Sequence, residues 1–221
     1  MSAPASPAAD PAPARRGRPG YDRDRVREIA VALFNEQGYD ATSVADVAAR
    51  LGLSKSALYH HFSSKEQLLE IALEEALGGL EAAIDRAEAL DAPAIDRVEA
   101  VIRGATDVLL ANLPSVTLLL RVRGNSPVEL AALERRRRFD QRVTAMVAAA
   151  QAEGALIADV DAPVVARLIF GMINSVVEWY RPGGAVDGAR LGHDVLTVAL
   201  TGLRADGGPR SAGTRRESGA A

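Results

Sequence analysis

Between Ser54 and Lys65 the chain gathers Ser54, Lys55, Ser56, Tyr59, His60, His61, Ser63 and Lys65 within twelve positions. Short hydroxyls, an amphipathic phenol and cations are the groups that approach phosphate oxygens and base edges closely. A polar helix face with two cations is also what a solvated surface looks like, and the density of such groups on one short segment favours nucleic-acid contact. Covalent and metal chemistry find less support. There is no cysteine, so neither disulfides nor thiolate metal sites form. Of the three histidines two are adjacent at 60 and 61, and His193 stands alone in the C-terminal half. No nucleophile, base and oxyanion-donor set emerges, and the glycines do not fall at the spacing of a phosphate-binding loop.

These groups need a frame, and the apolar spacing supplies one. Val44, Val47, Ala48 and Leu51 recur at helical intervals, Gly52 accepts a left-handed turn, and Ser54 caps a following helix carrying Ala57, Leu58 and Phe62. Two helices this short need a longer neighbour, which Val26, Ile29, Ala30, Leu33 and Phe34 provide on a single stripe closed by Gly38. Ser43 and Asp46 form a capping box with Asp in place of Glu. The result is a helix-turn-helix on a three-helix support.

The segment GLSKSALYHHFSSKEQLL, with FNEQGYDATSVADVAARLG before it, resembles the N-terminal DNA-binding domain of the TetR family of bacterial transcriptional regulators over Asp22 to Ala72. The resemblance implies a homodimer that reads a palindromic operator in double-stranded DNA while a larger helical domain binds a small effector. By position it implies phosphate contacts at Thr42 and Ser43, a recognition helix with Lys55, Ser56, Tyr59 and His60, and a further phosphate contact at Lys65; Ser54, the cap of that helix, joins them as an expected DNA-binding residue.

Composition agrees with two parts. A chain of 221 residues with 48% hydrophobic residues holds a small domain and a larger one. The net charge of −3 is unevenly placed: residues 1–65 carry nine Lys or Arg against seven Asp or Glu, and residues 66–134 carry five against thirteen. The basic groups thus collect where DNA would lie. Residues 1–20, rich in Ala and Pro, read as a disordered arm, 21–66 as the DNA-binding domain, 67–204 as the effector and dimerisation domain, and 205–221 as a disordered tail. Arg15, Arg16 and Arg18 either reach DNA as a basic arm or only solubilise the terminus. Charges interrupt every apolar stretch before it reaches membrane-spanning length, so no membrane association and a cytoplasmic location are expected.

Beyond the helix-turn-helix the periodicity predicts six more helices, giving an all-α fold of nine. Ser64 with Gln67 makes a capping box for the fourth, and Pro93, Pro114 and Ser126-Pro127 open the next three. The eighth begins near Asp161-Ala162-Pro163 and the ninth near Val186, both with apolar faces too broad for lone surface helices. Two such helices per subunit form a four-helix interface across a two-fold axis, with Val176, Trp179, Leu191, Val195, Leu196 and Leu203 as its expected residues. The run Arg135 to Arg138 reads as a solvated or ion-paired face.

A second resemblance lies in FGMINSVVEWYRPGG, residues 170–184, which is similar to the C-terminal signature of TetR-family repressors of lipid, steroid-ring and aromatic-acid degradation. Several of those release DNA on binding a coenzyme A thioester, which implies an acyl-coenzyme A effector and no resident cofactor. Gly171, Asn174 and Trp179 within it serve either structure or effector. The expected pocket is apolar, with Leu118, Leu119, Phe139, Met146, Phe170 and Asn174 as walls and Arg121 and Arg123 placed to meet phosphates. The alternative, a metabolite-binding module or enzyme with an incidental helical N-terminal domain, lacks a recoverable catalytic set.

Overall fold

The computed structural model describes residues 23–60 and 62–201, and the expectations placed on Arg15, Arg16, Arg18, His61 and Leu203 lie outside those residues. Three helices come first: α1 Arg23–Gln37, α2 Val44–Leu51 and α3 Lys55–Tyr59. Six follow: α4 Lys65–Glu88, α5 Ala94–Ala111, α6 Leu113–Arg121, α7 Pro127–Ala152, α8 Ala162–Trp179 and α9 Gly188–Leu196. A π-helical turn over Thr197–Thr201 ends the described chain, and no strand occurs among the described residues.

Local chemistry explains the boundaries. The Ser43 hydroxyl accepts from the Asp46 amide at 3.2 Å, and the Asp46 carboxylate accepts from the Ser43 amide at 2.8 Å, closing a reciprocal box at the start of α2. Those same Ser43 bonds hold the Asp46 carboxyl below the usual range. Gly52, at φ 66°, ends α2 in the left-handed region that other residues enter at a cost. At α4 the box differs from expectation: Ser64 accepts from the Gln67 amide, but the Gln67 carboxamide oxygen accepts from the Ser63 amide at 2.7 Å. Pro93 offers α5 no capping side chain, and the Glu153 carboxylate, from just past α7, accepts from the Ala94 amide at 2.8 Å instead.

Helix α4 is the spine. Leu68, Leu69 and Ala72 are buried near the three-helix head, while Leu73, Ala76, Leu77, Ala83 and Ile84 continue the stripe into the bundle of α5, α6 and α7. It runs unbroken through the expected boundary at 66/67. Gly104 lets α5 approach α4 closely, since a Cβ there would meet the Ala83 Cβ at 2.9 Å. Arg135 and Arg142, seven residues apart, lace α7 to α4: Arg135 pairs with Glu74 and Glu81, and Arg142 with Asp85 and Glu88.

Two expectations need correction. Helix α8 carries only Arg167 and Glu178 as charges and reaches the length and hydropathy of a membrane span, yet Ala162, Ala166, Ile169, Ile173 and Val176 pack one of its stripes into the bundle. The proposed dimer residues also divide. Val176, Leu191, Val195 and Leu196 are buried within the protomer, Val176 being 1% exposed, so they are core residues. Trp179 remains 49% exposed, and Leu168, at 67%, joins it with Val164 on the outer stripe of α8. A broad apolar face has two halves, and only packing decides which half turns inward.

Candidate DNA-reading face and effector cavity

The head presents one polar face. Ser54 accepts from the Ala57 amide at 3.2 Å and lies 3.0 Å from the Ser56 hydroxyl, fixing the start of α3. Lys55, Ser56, Tyr59 and His60 are exposed on this helix, with the Lys55 ammonium 5.9 Å from the Tyr59 ring centre. Leu58 and Phe62 turn the other way into the core. Ser43 is exposed at the start of α2, beside this face in sequence order.

Thr42 and Lys65 do something other than expected. Thr42 is 1% exposed, and its hydroxyl donates to the Gly38 carbonyl at 2.8 Å, so it braces the end of α1 and its hydroxyl is not presented to a phosphate. The Lys65 ammonium donates to the Tyr39 carbonyl at 2.6 Å and sits 4.1 Å from the Tyr39 ring centre. It ties the start of α4 to the turn after α1. The Tyr39 hydroxyl is pushed up to about 12, first by burial and then by Glu66, Glu129 and Asp40.

A second feature joins head and bundle. Glu129 is buried, and one carboxylate oxygen accepts from the amides of Arg123, Gly124 and Asn125 at 2.9, 2.8 and 3.1 Å. Burial alone would raise this carboxyl, but the three donors outweigh it and hold the group below its ordinary range. The loop so organised reaches back to the head, where the Asn125 amide donates to Asp40 at 3.3 Å. Arg27 of α1 pairs with Glu75 of α4, which also accepts from Ser115 of α6 at 2.7 Å.

Inside the bundle a mostly apolar cavity of about 50 Å³ is bounded by α4 to α8. Leu119, Phe139, Phe170 and Asn174 line it as expected, joined by Leu77, Leu80, Leu109 and Ile173. Phe139 and Phe170 meet edge to face at 5.3 Å between centroids. Met146 is buried away from the cavity lining. Leu118, Arg121 and Arg123 are also elsewhere, beside Phe34 and Asn35 at the junction with the head. Arg121, at the C-terminal end of α6, and Arg123, just past it, therefore lie on the side that faces the head and do not meet a ligand in this cavity. The polar groups that do line it are Glu81, Arg135, Arg136, Asp140 and Asn174. Arg135 and Arg137 are ion-paired as the sequence suggested, whereas Arg136 donates to the Leu119 carbonyl at 3.3 Å. Its distinct role leaves no trace in the sequence, because four consecutive arginines look alike until a helix is docked.

The family model for bacterial regulatory proteins of the tetR family matches residues 20–72, and that for the tetracyclin repressor-like C-terminal domain matches 91–203. The solved structure of a TetR regulator from Streptomyces coelicolor is 47% identical, covers 81% of this chain and 91% of that one, and superposes with a TM-score of 0.77. PfmR from Thermus thermophilus is 34% identical, covering 82% and 100%, with a TM-score of 0.70. The transcriptional repressor KstR2 of Mycolicibacterium smegmatis is 28% identical over 91% of this chain and 100% of its own length. The structure of the ketosteroid transcriptional regulator KstR2 of Mycobacterium tuberculosis superposes with a TM-score of 0.74 at 27% identity, covering 81% and 93%. With both halves of the chain matched, and the order of helix-turn-helix, spine helix and cavity-bearing bundle accounted for, the protein belongs to the TetR family of transcriptional regulators.

Proposed function

We propose that this DNA-binding regulator is a repressor acting in the cytoplasm, a homodimer released from a palindromic operator when an apolar effector enters the bundle. Family members typically bind palindromic DNA as homodimers and respond to small molecules, and they are not enzymes. Residues 21–66 serve as the reading head and 67–204 as the responding domain. Lys55, Ser56, Tyr59 and His60 read the major groove, Ser43 and Ser54 meet the backbone, and Thr42 and Lys65 hold the frame rigid. The exposed outer stripe of α8, Val164, Leu168 and Trp179, forms the centre of the dimer contact.

One observation carries the reading: a capped, exposed recognition helix belongs to a head whose α1 packs on a spine, α4, whose far half walls an apolar cavity. At about 50 Å³ the cavity holds a few waters, against roughly 300–1,000 Å³ for ligand pockets. An effector must therefore select a wider conformation, and release follows if that form spaces the two heads badly for the operator. Likeness to a regulator named for ketosteroids supports a steroid-derived effector, and the resemblance of residues 170–184 to repressors of lipid, steroid-ring and aromatic-acid degradation extends this to a fatty or aromatic acyl group carried as a coenzyme A thioester. Selection of bound genomic fragments, then operator titration against an acyl-coenzyme A series, tests this. A palindrome released by thioesters is expected; binding that no acyl compound alters would overturn the effector reading.

A further inference from the structure

Of the 26 Lys and Arg residues in the chain, 24 are arginines, and the two lysines, Lys55 and Lys65, stand on the recognition helix and at the first position of the spine. The two residue types differ in chemistry as well as shape. A guanidinium stays protonated, whereas a lysine amine that sheds its proton is a nucleophile. An acyl donor therefore meets lysine amines only at these two positions, and the structure separates them. The Lys65 ammonium is half-buried, donates to the Tyr39 carbonyl at 2.6 Å and the Asp40 carbonyl at 3.4 Å, and lies against the Tyr39 ring. An ammonium so held offers no lone pair. Lys55 is exposed on α3, its side chain has no ion pair or hydrogen bond among the described residues, and the Tyr59 ring centre is 5.9 Å away, at the outer limit of a cation–π contact.

Resting on the placement of Lys55 in the reading face, we infer that Lys55 is a site of acylation by a coenzyme A thioester, which lowers DNA affinity covalently. The neutral Nζ attacks the thioester carbonyl carbon, the N–C bond forms and the C–S bond breaks; coenzyme A leaves as the thiolate and takes up the proton that the nitrogen sheds. The product is a neutral amide. It releases no counterion at a phosphate, and its acyl group adds bulk on a helix that must enter a groove. The arginines of residues 21–66, Arg23, Arg25, Arg27 and Arg50, keep their charge under the same donor, and Lys65 goes on bracing the start of α4. The change thus falls on the recognition helix alone. Bound DNA covers Lys55, so acylation acts on the free protein and keeps it free.

The test treats the full chain with acetyl-coenzyme A, with and without a genomic fragment selected for binding, at about pH 8.5, where more of a lysine amine is neutral. Peptide mass mapping should find Lys55 acetylated at least about fivefold faster than Lys65, and more slowly when DNA is bound. The acetylated protein should lose about tenfold in operator affinity, with a salt dependence flatter by roughly one unit per subunit. Lys55→Arg, which keeps the charge and cannot be acylated, should show no further loss on treatment, whatever its starting affinity. Lys55→Gln, neutral without any treatment, should bind the operator more weakly than wild type. Acetylation of Lys65 as fast as that of Lys55, acetylated Lys55 with unchanged operator affinity, or an equal loss in treated Lys55→Arg overturns the proposal. If Lys55→Gln binds as well as wild type, the placement of Lys55 in the reading face fails with it; if Lys55→Gln binds weakly while wild-type Lys55 stays unacetylated, that placement stands and the acylation is overturned.

Discussion

The Arg121 guanidinium at the end of α6 donates to the main-chain carbonyl of Asn35 in α1 at 2.7 Å, and the Asn35 amide returns a bond to the Pro114 carbonyl at the start of α6, at 2.9 Å. Helix α6 is thereby held at both ends by one residue of the reading head, while Val116, Leu119 and Leu120 on its other side line the cavity. A cavity that widens against α6 moves a helix already tied to α1.

Arg121→Ala should therefore separate binding from response. The lost bond is worth about 0.5–1.5 kcal/mol, so the fold survives. Effector affinity by calorimetry should stay within about twofold, while operator release, read by fluorescence anisotropy, should need more effector. Unchanged release would remove this tie from the coupling.

The two lysines of the head should behave differently. Lys55→Ala is expected to flatten the salt dependence of operator binding by roughly one unit per subunit. Lys65→Met should leave that slope alone and lower the melting temperature, because its ammonium serves the Tyr39 carbonyl. Equal flattening by both would return Lys65 to the phosphate contacts.

Association and folding should also part company on α8. Leu168→Glu, on the exposed stripe, should yield folded monomers in sedimentation experiments. Val176→Arg should instead unfold the protomer, at a cost of roughly 3 kcal/mol or more for an unpaired buried charge. A Leu168→Glu protein that stays dimeric would move the interface elsewhere.

Glu129 gives a pH test. Its folded carboxyl lies below the ordinary value of 4.5, so the folded state binds a proton less readily than the unfolded one. The stability this confers is present above about pH 4.5 and is lost as the pH falls through the depressed folded value. Glu129→Gln should be less stable at neutral pH and show a shallower acid decline in denaturant titrations. Parallel acid profiles would remove Glu129 as a contributor.

The sequence by itself determined the elements and the class: Ser43, Gly52, Ser54 and the proline starts act within a few residues, so their effects are local and readable. It also marked the exposed groups of α3, since a five-residue helix with Leu58 inward leaves the remaining positions outward. Tertiary structure alone decided everything that depends on two distant segments meeting. Thr42 and Lys65 carry groups suited to phosphate, but carbonyls of Leu33, Gly38 and Tyr39 claim them once α1 and α4 are packed. Arg121 and Arg123 precede α7 in sequence yet lie at the head junction, while Arg136 and Arg167 share a cleft because α7 and α8 dock side by side. Periodicity gives the direction of a side chain relative to its own helix axis; which neighbour occupies that direction is a property of the assembled bundle.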